Sequence, residues 1–232
     1  IKLANVNGTG SASANGLVMK AIFRMGVPVV GKNIFPSNIQ GLPTWFEIRV
    51  SREGYLARSG EVDVMVAMNG QTFDRDLKEV SPGGVLLYDS TWPRERNITR
   101  HDITVLGIPL ARMCNETFEN PRARILMKNM AYVGALAALL NLDMDVLRGL
   151  IEEQFASKKK LVGANIQAIE LGYHYAVENF KCPLASNIEP MDKTAGHIMI
   201  DGNTAAALGC VYAGATVGAW YPITPSTSLM DA

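Results

Sequence analysis

Short apolar segments alternate with segments of helical periodicity along the first half of the chain. Residues 1–6 predict a strand, and the apolar spacing of residues 12–25 predicts the helix that follows it. The same reasoning places strands at 44–51, 62–68, 85–90 and 102–106, and a helix at 71–80. Strands that alternate with helices in this way indicate an α/β fold, with an open, mostly parallel sheet covered by helices.

One of these strands has a clear two-residue period. Within 44–51, three apolar side chains lie on one face (Phe46, Ile48, Val50), and Trp45, Glu47 and Arg49 lie on the other. Such alternation predicts a half-exposed strand, with one face toward the core and the other toward solvent.

Helical periodicity dominates the segment after the last predicted strand. Helices are expected at about 122–140, 144–157 and 162–180, and the apolar run 130–140 is too short to span a bilayer, which favours a core helix. Residues 182–197 contain two prolines and no periodicity, which predicts a linker. The expected organisation is therefore a first domain over 1–181, the linker, and the start of a second domain over 198–232.

The last residues predict a strand followed by a helix. Residues 214–220 are expected to form a short buried strand and residues 226–232 to begin a helix. Thr224 would then be the N-cap of that helix and Pro225 its first residue. Amide groups at a helix start favour an anion such as a carboxylate, so this junction is a candidate substrate site. The alternative is that Thr224 only caps the helix.

A glycine-rich turn follows the first strand at the place where a dinucleotide fold holds its phosphate. Its residues are Asn7, Gly8, Thr9, Gly10 and Ser11. The full dinucleotide pattern is not met, because Ser13 stands at the third glycine position and Lys32 where an acidic residue is expected. The turn therefore either binds an anion through its amides or needs glycine only for its backbone shape.

A second candidate is the long polar loop over residues 32–43. Lys32, Asn38 and Gln40 offer an ammonium and amide groups that suit a ligand or a neighbouring subunit. Apolar side chains lie among them, which favours a contact surface over a loop that satisfies only its own backbone.

Composition and charge exclude several classes of protein. The 22 basic residues balance the 22 acidic ones, so bulk charge indicates neither a nucleic-acid nor a membrane partner. The three cysteines and three histidines are far apart, which removes support for a metal site, an iron–sulfur cluster or a hydrolytic triad within this chain. We expect reduced thiols and a cytoplasmic protein.

Two parts of the chain resemble one family. Residues 201–209 followed by the string Tyr-Pro-Ile-Thr-Pro-Ser at 221–226 are similar to the start of the alpha domain of 2-oxoacid:ferredoxin oxidoreductases, a thiamine pyrimidine-binding type of α/β domain. Residues 7–15 and 33–45 resemble the gamma domain of the same enzymes, in the branch where gamma is fused ahead of alpha. The chain thus resembles a fused gamma/alpha subunit that is cut short early in the alpha domain.

This resemblance implies a reaction and its cofactors. A 2-oxoacid, coenzyme A and oxidised ferredoxin would give acyl-coenzyme A, carbon dioxide and reduced ferredoxin, with 2-oxoglutarate favoured over pyruvate. Thiamine diphosphate, Mg²⁺ and a [4Fe-4S] cluster are expected on a separate beta subunit, in a dimer of alpha–beta heterodimers. The glutamate that activates the aminopyrimidine would lie beyond Ala232.

The resemblance also implies roles for particular residues. Thr224 would present its hydroxyl to the 2-oxoacid, within a substrate-binding segment formed by Tyr221, Pro222, Ile223, Thr224, Pro225 and Ser226. The glycine-rich turn, with Lys32, Asn38 and Gln40, would contact coenzyme A as co-substrate. Two other functions stay open from the residues alone: a non-catalytic module that binds coenzyme A or a nucleotide, and a structural assembly subunit.

Overall fold

The computed structural model describes residues 1–36, 41–94, 96, 98–223 and 226–232. It consists of two units, Ile1–Ala195 and Gly196–Ala232. In chain order the elements of the first unit are β1 (Lys2–Val6), α1 (Ser11–Arg24), β2 (Val29–Ile34), β3 (Pro43–Val50), β4 (Val62–Ala67), α2 (Phe73–Glu79), β5 (Val80–Asp89), β6 (Thr104–Ile108), α3 (Leu110–Thr117), α4 (Pro121–Leu140), α5 (Met144–Gln154) and α6 (Lys159–Asn179).

A six-stranded sheet in the order β2-β3-β1-β4-β5-β6 forms the centre of this unit. The pairs β1–β4, β4–β5 and β5–β6 are parallel, whereas β3 runs antiparallel to both β1 and β2. The predicted α/β fold with a mostly parallel sheet is confirmed. After β1 the chain forms β2 and β3 on one side of that strand, and then β4, β5 and β6 on its other side. The strand order therefore switches between β1 and β4.

Both faces of the sheet are covered. On one face Leu3 and Phe46 belong to a large apolar core that also contains the buried sides of α1, α4, α5 and α6. On the other face Ala4 and Trp45 belong to a smaller core with α2. The prediction that β3 is half exposed was wrong at Trp45, whose residue surface is only 3% exposed. Its indole donates a hydrogen bond to the buried carboxylate of Asp76 in α2 at 2.8 Å, which a one-strand pattern cannot reveal.

Helix α4 is the central helix of the first unit. Asn120 caps its start by accepting hydrogen bonds from the backbone of Arg122 and Ala123, and Pro121 occupies the first turn. Asn141 ends the helix in the left-handed conformation at φ 59°. By length and composition α4 resembles a membrane-spanning helix, but 72% of its apolar window is buried inside the protein.

The crossing of α4 and α6 depends on two glycines. A Cβ atom added to Gly134 would lie 1.8 Å from the carbonyl oxygen of Ile169, and one added to Gly172 would lie 1.8 Å from that of Ala131. The two backbones therefore approach more closely than any side chain at these positions would allow.

Residues 182–195, which fall in the predicted linker, have no regular secondary structure but pack on the first unit. Backbone amides of Leu184 and Ile188 donate hydrogen bonds to the last carbonyls of α4, at 2.8 Å each. The amides of Met191 and Lys193 bind the carbonyls of Met25 and Gly26.

The second unit contains helices α7 (Gly202–Tyr212) and α8 (Ser226–Met230). Asp201 caps α7 by accepting from the amides of Asn203 and Thr204, both at 3.0 Å, and the bond from Thr204 keeps the pKa of Asp201 low. The prediction of a buried strand over 214–220 was wrong: the segment has no strand, and Val217 is 88% exposed. A strand requires a neighbour to pair with, and the described part of this unit offers none.

Candidate functional site

The glycine-rich turn lies at the carboxyl end of β1, beside the switch in strand order. Gly8 and Gly10 both adopt the left-handed conformation, at φ 83° and 80°. Between them the Thr9 hydroxyl donates to the carbonyl of Val6 at 2.7 Å. Side chains with a Cβ avoid such φ values, so the two glycines are needed for this path of the backbone.

The polar loop reaches the turn through its last residues. The amide of Asn7 donates to the carbonyl of Leu42 at 2.9 Å, and the amide of Gly41 donates to the carbonyl of Asn7 at 3.0 Å. Asn38 and Gln40, predicted to contact coenzyme A, lie outside the described residues. The glycine-rich turn and the polar loop therefore contact each other at residues 41 and 42.

Helix α1 begins at Ser11, directly after the turn. Among the described residues no side chain caps this helix, and its first turn carries no acidic residue. Ser11 is buried, whereas Ala12 and Ser13 are exposed. The first amide groups of a helix lack intrahelical acceptors and carry a partial positive charge, so this exposed start can accept an anion.

Helix α4 packs against the glycine-rich turn. The side-chain amide of Asn129 donates to the carbonyl of Thr9 at 2.8 Å. A Cβ atom added to Gly10 would lie 2.5 Å from Cδ2 of Leu126 on the same helix. Sequence reasoning missed Asn129; the signal that could have found it is a single amide directly before the apolar run 130–140.

Buried polar side chains link the turn to the rest of the fold. The Asn15 carbonyl oxygen Oδ1 accepts from the Tyr132 hydroxyl at 2.7 Å and from Nδ2 of Asn5 at 3.5 Å. Nδ2 of Asn69, after β4, donates to the backbone carbonyl of Asn5 at 3.4 Å. Burial raises the pKa of Tyr132, so its hydroxyl stays protonated and donates. These hydrogen bonds connect β1, the end of β4, α1 and α4 beside the switch in strand order.

Lys32 lies away from the turn. It pairs with Glu47 across β2 and β3, and Glu47 pairs with Lys2 at the amino end of β1. Four residues of β1, or roughly 13 Å of strand, separate that level from Val6. Lys32 is therefore not brought together with the other predicted coenzyme A contacts.

Lys32 lines a cavity of about 820 Å³ at the amino ends of β1 and β4. The nearly buried ammonium of Lys2 contacts Glu79 at 2.5 Å and Glu47 at 3.3 Å, and Arg58 also contacts Glu47. These four inner charges therefore neutralise one another.

In the second unit the predicted substrate-binding segment is only partly described. Thr224 and Pro225 lie outside the described residues, so the predicted N-cap has no structural account. Tyr221 and Ile223 are 77% and 57% exposed, and Pro222 is exposed as well. The Ser226 hydroxyl donates to the carbonyl of Ile223 at 2.7 Å.

No cluster of three metal-ligating side chains exists among the described residues. Cys114, Cys182 and Cys210 are free thiols. Burial raises the pKa of Cys114 to about 12, which disfavours the thiolate that an iron or zinc ion would need. Within the part of the chain that the structure describes, the side chains do not fit a cluster or a divalent metal.

Comparison with known proteins decides the family. Residues 1–175 match the description "Pyruvate ferredoxin/flavodoxin oxidoreductase". The chain belongs to this family. Its relatives include subunit alpha of 2-oxoacid:ferredoxin oxidoreductase 2 from Aeropyrum pernix, 24% identical over 95% of this chain and 40% of that protein. Another is the 2-oxoglutarate oxidoreductase subunit KorA from Mycobacterium tuberculosis, 25% identical over 80% of this chain and 32% of that protein.

A solved structure of the pyruvate ferredoxin/flavodoxin oxidoreductase family covers nearly the whole chain. It is 2-oxoglutarate:ferredoxin oxidoreductase from Magnetococcus marinus with 2-oxoglutarate, coenzyme A and succinyl-CoA bound, 26% identical, with a TM-score of 0.85 over 99% of this chain. The gamma subunit of a keto/oxoacid ferredoxin oxidoreductase from Geobacter sulfurreducens shares the fold over 76% of this chain and 97% of its own, at a TM-score of 0.59 and 17% identity. The chain spans about 40% of the length of its Aeropyrum and Magnetococcus relatives.

Proposed function

We propose that the chain forms the gamma domain, over 1–181, and the start of the alpha domain, over 198–232, of a 2-oxoacid:ferredoxin oxidoreductase. The observation that carries this proposal is the similarity to the Magnetococcus enzyme across both units, together with Tyr-Pro-Ile-Thr-Pro-Ser at 221–226. The reaction is the coenzyme A-dependent oxidative decarboxylation of a 2-oxoacid, with electrons passed to ferredoxin.

The favoured substrate is 2-oxoglutarate. KorA from Mycobacterium tuberculosis is named a 2-oxoglutarate oxidoreductase subunit, and the Magnetococcus enzyme is bound to 2-oxoglutarate and succinyl-CoA. Pyruvate is the second candidate, because the family name includes it. The ratio of kcat/KM for the two acids in the complete enzyme discriminates between them.

The cofactors belong to a partner beta subunit in this proposal. Thiamine diphosphate and Mg²⁺ supply the decarboxylation chemistry, and a [4Fe-4S] cluster carries the electrons toward ferredoxin. Cys114, Cys182 and Cys210 are far apart in the sequence, which supports placing all three groups on the partner. We therefore expect this chain to be colourless and inactive when it is purified alone in a reducing buffer. The visible absorbance of an iron–sulfur cluster in that sample would contradict the placement.

Coenzyme A is proposed to contact the glycine-rich turn and the exposed start of α1. The left-handed backbone at Gly8 and Gly10 and the uncapped amides of α1 suit a phosphate or the polar pantetheine chain. Of the described residues predicted for this contact, Asn7 to Ser11 lie together in the turn. Lys32 is level with the amino end of β1, so we leave it out of the proposed contact.

A charge added at the start of α1 tests this site. Ser13→Glu places a carboxylate next to the proposed anion, so the KM for coenzyme A should rise about tenfold in the complete enzyme, while the KM for the 2-oxoacid stays unchanged. An acidic residue in a first helical turn is favourable, so the melting temperature should hold or increase.

The matched control for this variant is Lys20→Gln. It makes the same change in net charge at an exposed position further along α1, and it should leave the KM for coenzyme A unchanged. Equal KM values for coenzyme A in Ser13→Glu and the unaltered enzyme would show that the turn is not part of the coenzyme A site.

Thr224 is proposed as the substrate-binding hydroxyl. A fixed donor stabilises the negative charge that develops on the keto oxygen of a 2-oxoacid when its carbon is attacked. The neighbouring residues Tyr221, Pro222, Ile223, Pro225 and Ser226 would shape the segment that presents it.

Two other functions make different predictions. A non-catalytic module would bind coenzyme A or a nucleotide tightly in the absence of a partner subunit. A structural assembly subunit would show no ligand dependence. Neither accounts for the similarity to the Magnetococcus enzyme in both units.

A further inference from the structure

The contact between Asn129 and the glycine-rich turn joins residues 120 positions apart. Asn129 is 3% exposed and lies among the apolar side chains of α4. A buried amide without a partner is costly, so the fold has to hold Nδ2 of Asn129 against the carbonyl oxygen of Thr9. The hydrogen bond at 2.8 Å does this.

This contact sets the orientation of one peptide group. Thr9 stands between two glycines in the left-handed conformation, at φ 83° and 80°. Glycine allows many backbone conformations, so the turn alone does not fix how the peptide between Thr9 and Gly10 is rotated. Asn129 fixes it by binding the Thr9 carbonyl.

The orientation has a consequence for the other side of the same peptide. In a planar trans peptide the C=O and N–H groups point in opposite directions. Because the Thr9 carbonyl points to α4, the N–H of Gly10 points away from α4. That N–H belongs to the N-cap residue of α1, directly before an uncapped first turn in which Ala12 and Ser13 are exposed.

We propose that Asn129 is a positioning residue for coenzyme A: it holds the Thr9–Gly10 peptide so that the Gly10 amide donates toward the anion at the start of α1. This inference rests on the proposed function, because it assigns coenzyme A to the turn. Asn129 acts through the backbone of the turn and does not itself touch the ligand. Its loss should raise the KM for coenzyme A about tenfold, as expected when one donor to a charged group is misaligned.

The test uses Asn129→Ala in the complete enzyme with its partner subunit. The matched control is Asn165→Ala, since Asn165 is also 3% exposed and donates Nδ2 to a backbone carbonyl, that of Leu161, at 2.7 Å. Asn165 lies within α6, and this hydrogen bond stays within that helix. The readouts are the KM for coenzyme A, the KM for the 2-oxoacid and the melting temperature. A milder variant, Asn129→Ser, keeps a hydroxyl donor. If the alanine variant does not fold, the same readouts are measured on the serine variant.

The expected result is a lower melting temperature in both alanine variants and a raised KM for coenzyme A only in the Asn129 variant, with the serine variant intermediate. An equal rise in both would assign the effect to general loosening and overturn the inference. Ser13→Glu separates the remaining outcomes. If Ser13→Glu raises the KM for coenzyme A and Asn129→Ala does not, the positioning role of Asn129 is wrong but the coenzyme A site at the turn is supported. If neither variant raises this KM, both the positioning role and the coenzyme A site are wrong.

Discussion

Thr224→Ala is expected to lower kcat/KM for the 2-oxoacid roughly ten- to a thousandfold in the complete enzyme, which is the range for losing one donor to a developing oxyanion. The physical reason is that a fixed hydroxyl in a site that excludes water stabilises charge more strongly than solvent does. Steady-state kinetics with saturating coenzyme A and ferredoxin measure the effect.

The capping explanation for Thr224 gives the opposite pattern. Losing an N-cap would cost about 1 kcal/mol of stability and leave the kinetics unchanged. Thr224→Ser keeps both the hydroxyl donor and the cap, so it should retain most activity under either explanation. An alanine variant that is active but melts earlier would show that Thr224 only caps the helix.

Gly134→Ala is expected to destabilise the first unit by about 3 kcal/mol, at the upper end of the cost of overpacking. The added methyl group would lie 1.8 Å from the carbonyl oxygen of Ile169, so α4 and α6 have to separate along their crossing. A neighbouring side chain could move aside, but a helix backbone cannot do so locally. Chemical denaturation at equilibrium gives the change in free energy of unfolding.

Gly163→Ala in α6 is the matched control for this prediction. Apart from the chain neighbours and the backbone of α6 itself, no atom of the described residues lies within 4 Å of the added Cβ, and the position is helical. Alanine has the higher helix propensity, so this variant should be neutral or more stable by up to about 1 kcal/mol. Equal stability losses in the two variants would contradict the close-crossing explanation.

Periodicity predicted most of the first unit because its elements are long and amphipathic. Helix α4 was expected at 122–140 and observed at Pro121–Leu140, and β1 was expected at 1–6 and observed at Lys2–Val6. Helix α3 was missed: Leu110–Thr117 is short, and only Leu110 and Cys114 are buried. Two turns carry too little periodic signal for recognition.

Burial of both faces of a strand depends on what packs on it. The sequence pattern around Trp45 alternates as in a half-exposed strand, but α2 covers its polar face and Asp76 accepts a hydrogen bond from the indole. The prediction of a buried strand at 214–220 was wrong for the opposite reason, because partners are missing among the described residues. Its apolar composition was correct for a strand, but pairing requires partners that the described second unit does not contain.

The candidate site could be predicted only where its residues are consecutive. The turn from Asn7 to Ser11 was recognised from its glycines, and Gly8 and Gly10 have left-handed backbone in the structure. Asn129 reaches the same turn from a distant helix, and Lys32 was grouped with the turn although it lies at the other end of β1. Contacts between distant segments depend on the topology of the sheet, which a single sequence does not encode locally.

The most direct test is the reduction of ferredoxin by the complete enzyme that contains this chain and its partner subunit. Reduction should require both a 2-oxoacid and coenzyme A, proceed faster with 2-oxoglutarate than with pyruvate at equal low concentrations, and yield succinyl-coenzyme A. Omission of coenzyme A should abolish turnover. Tight coenzyme A binding without reduction by any 2-oxoacid would contradict the proposed function and favour a non-catalytic binding module.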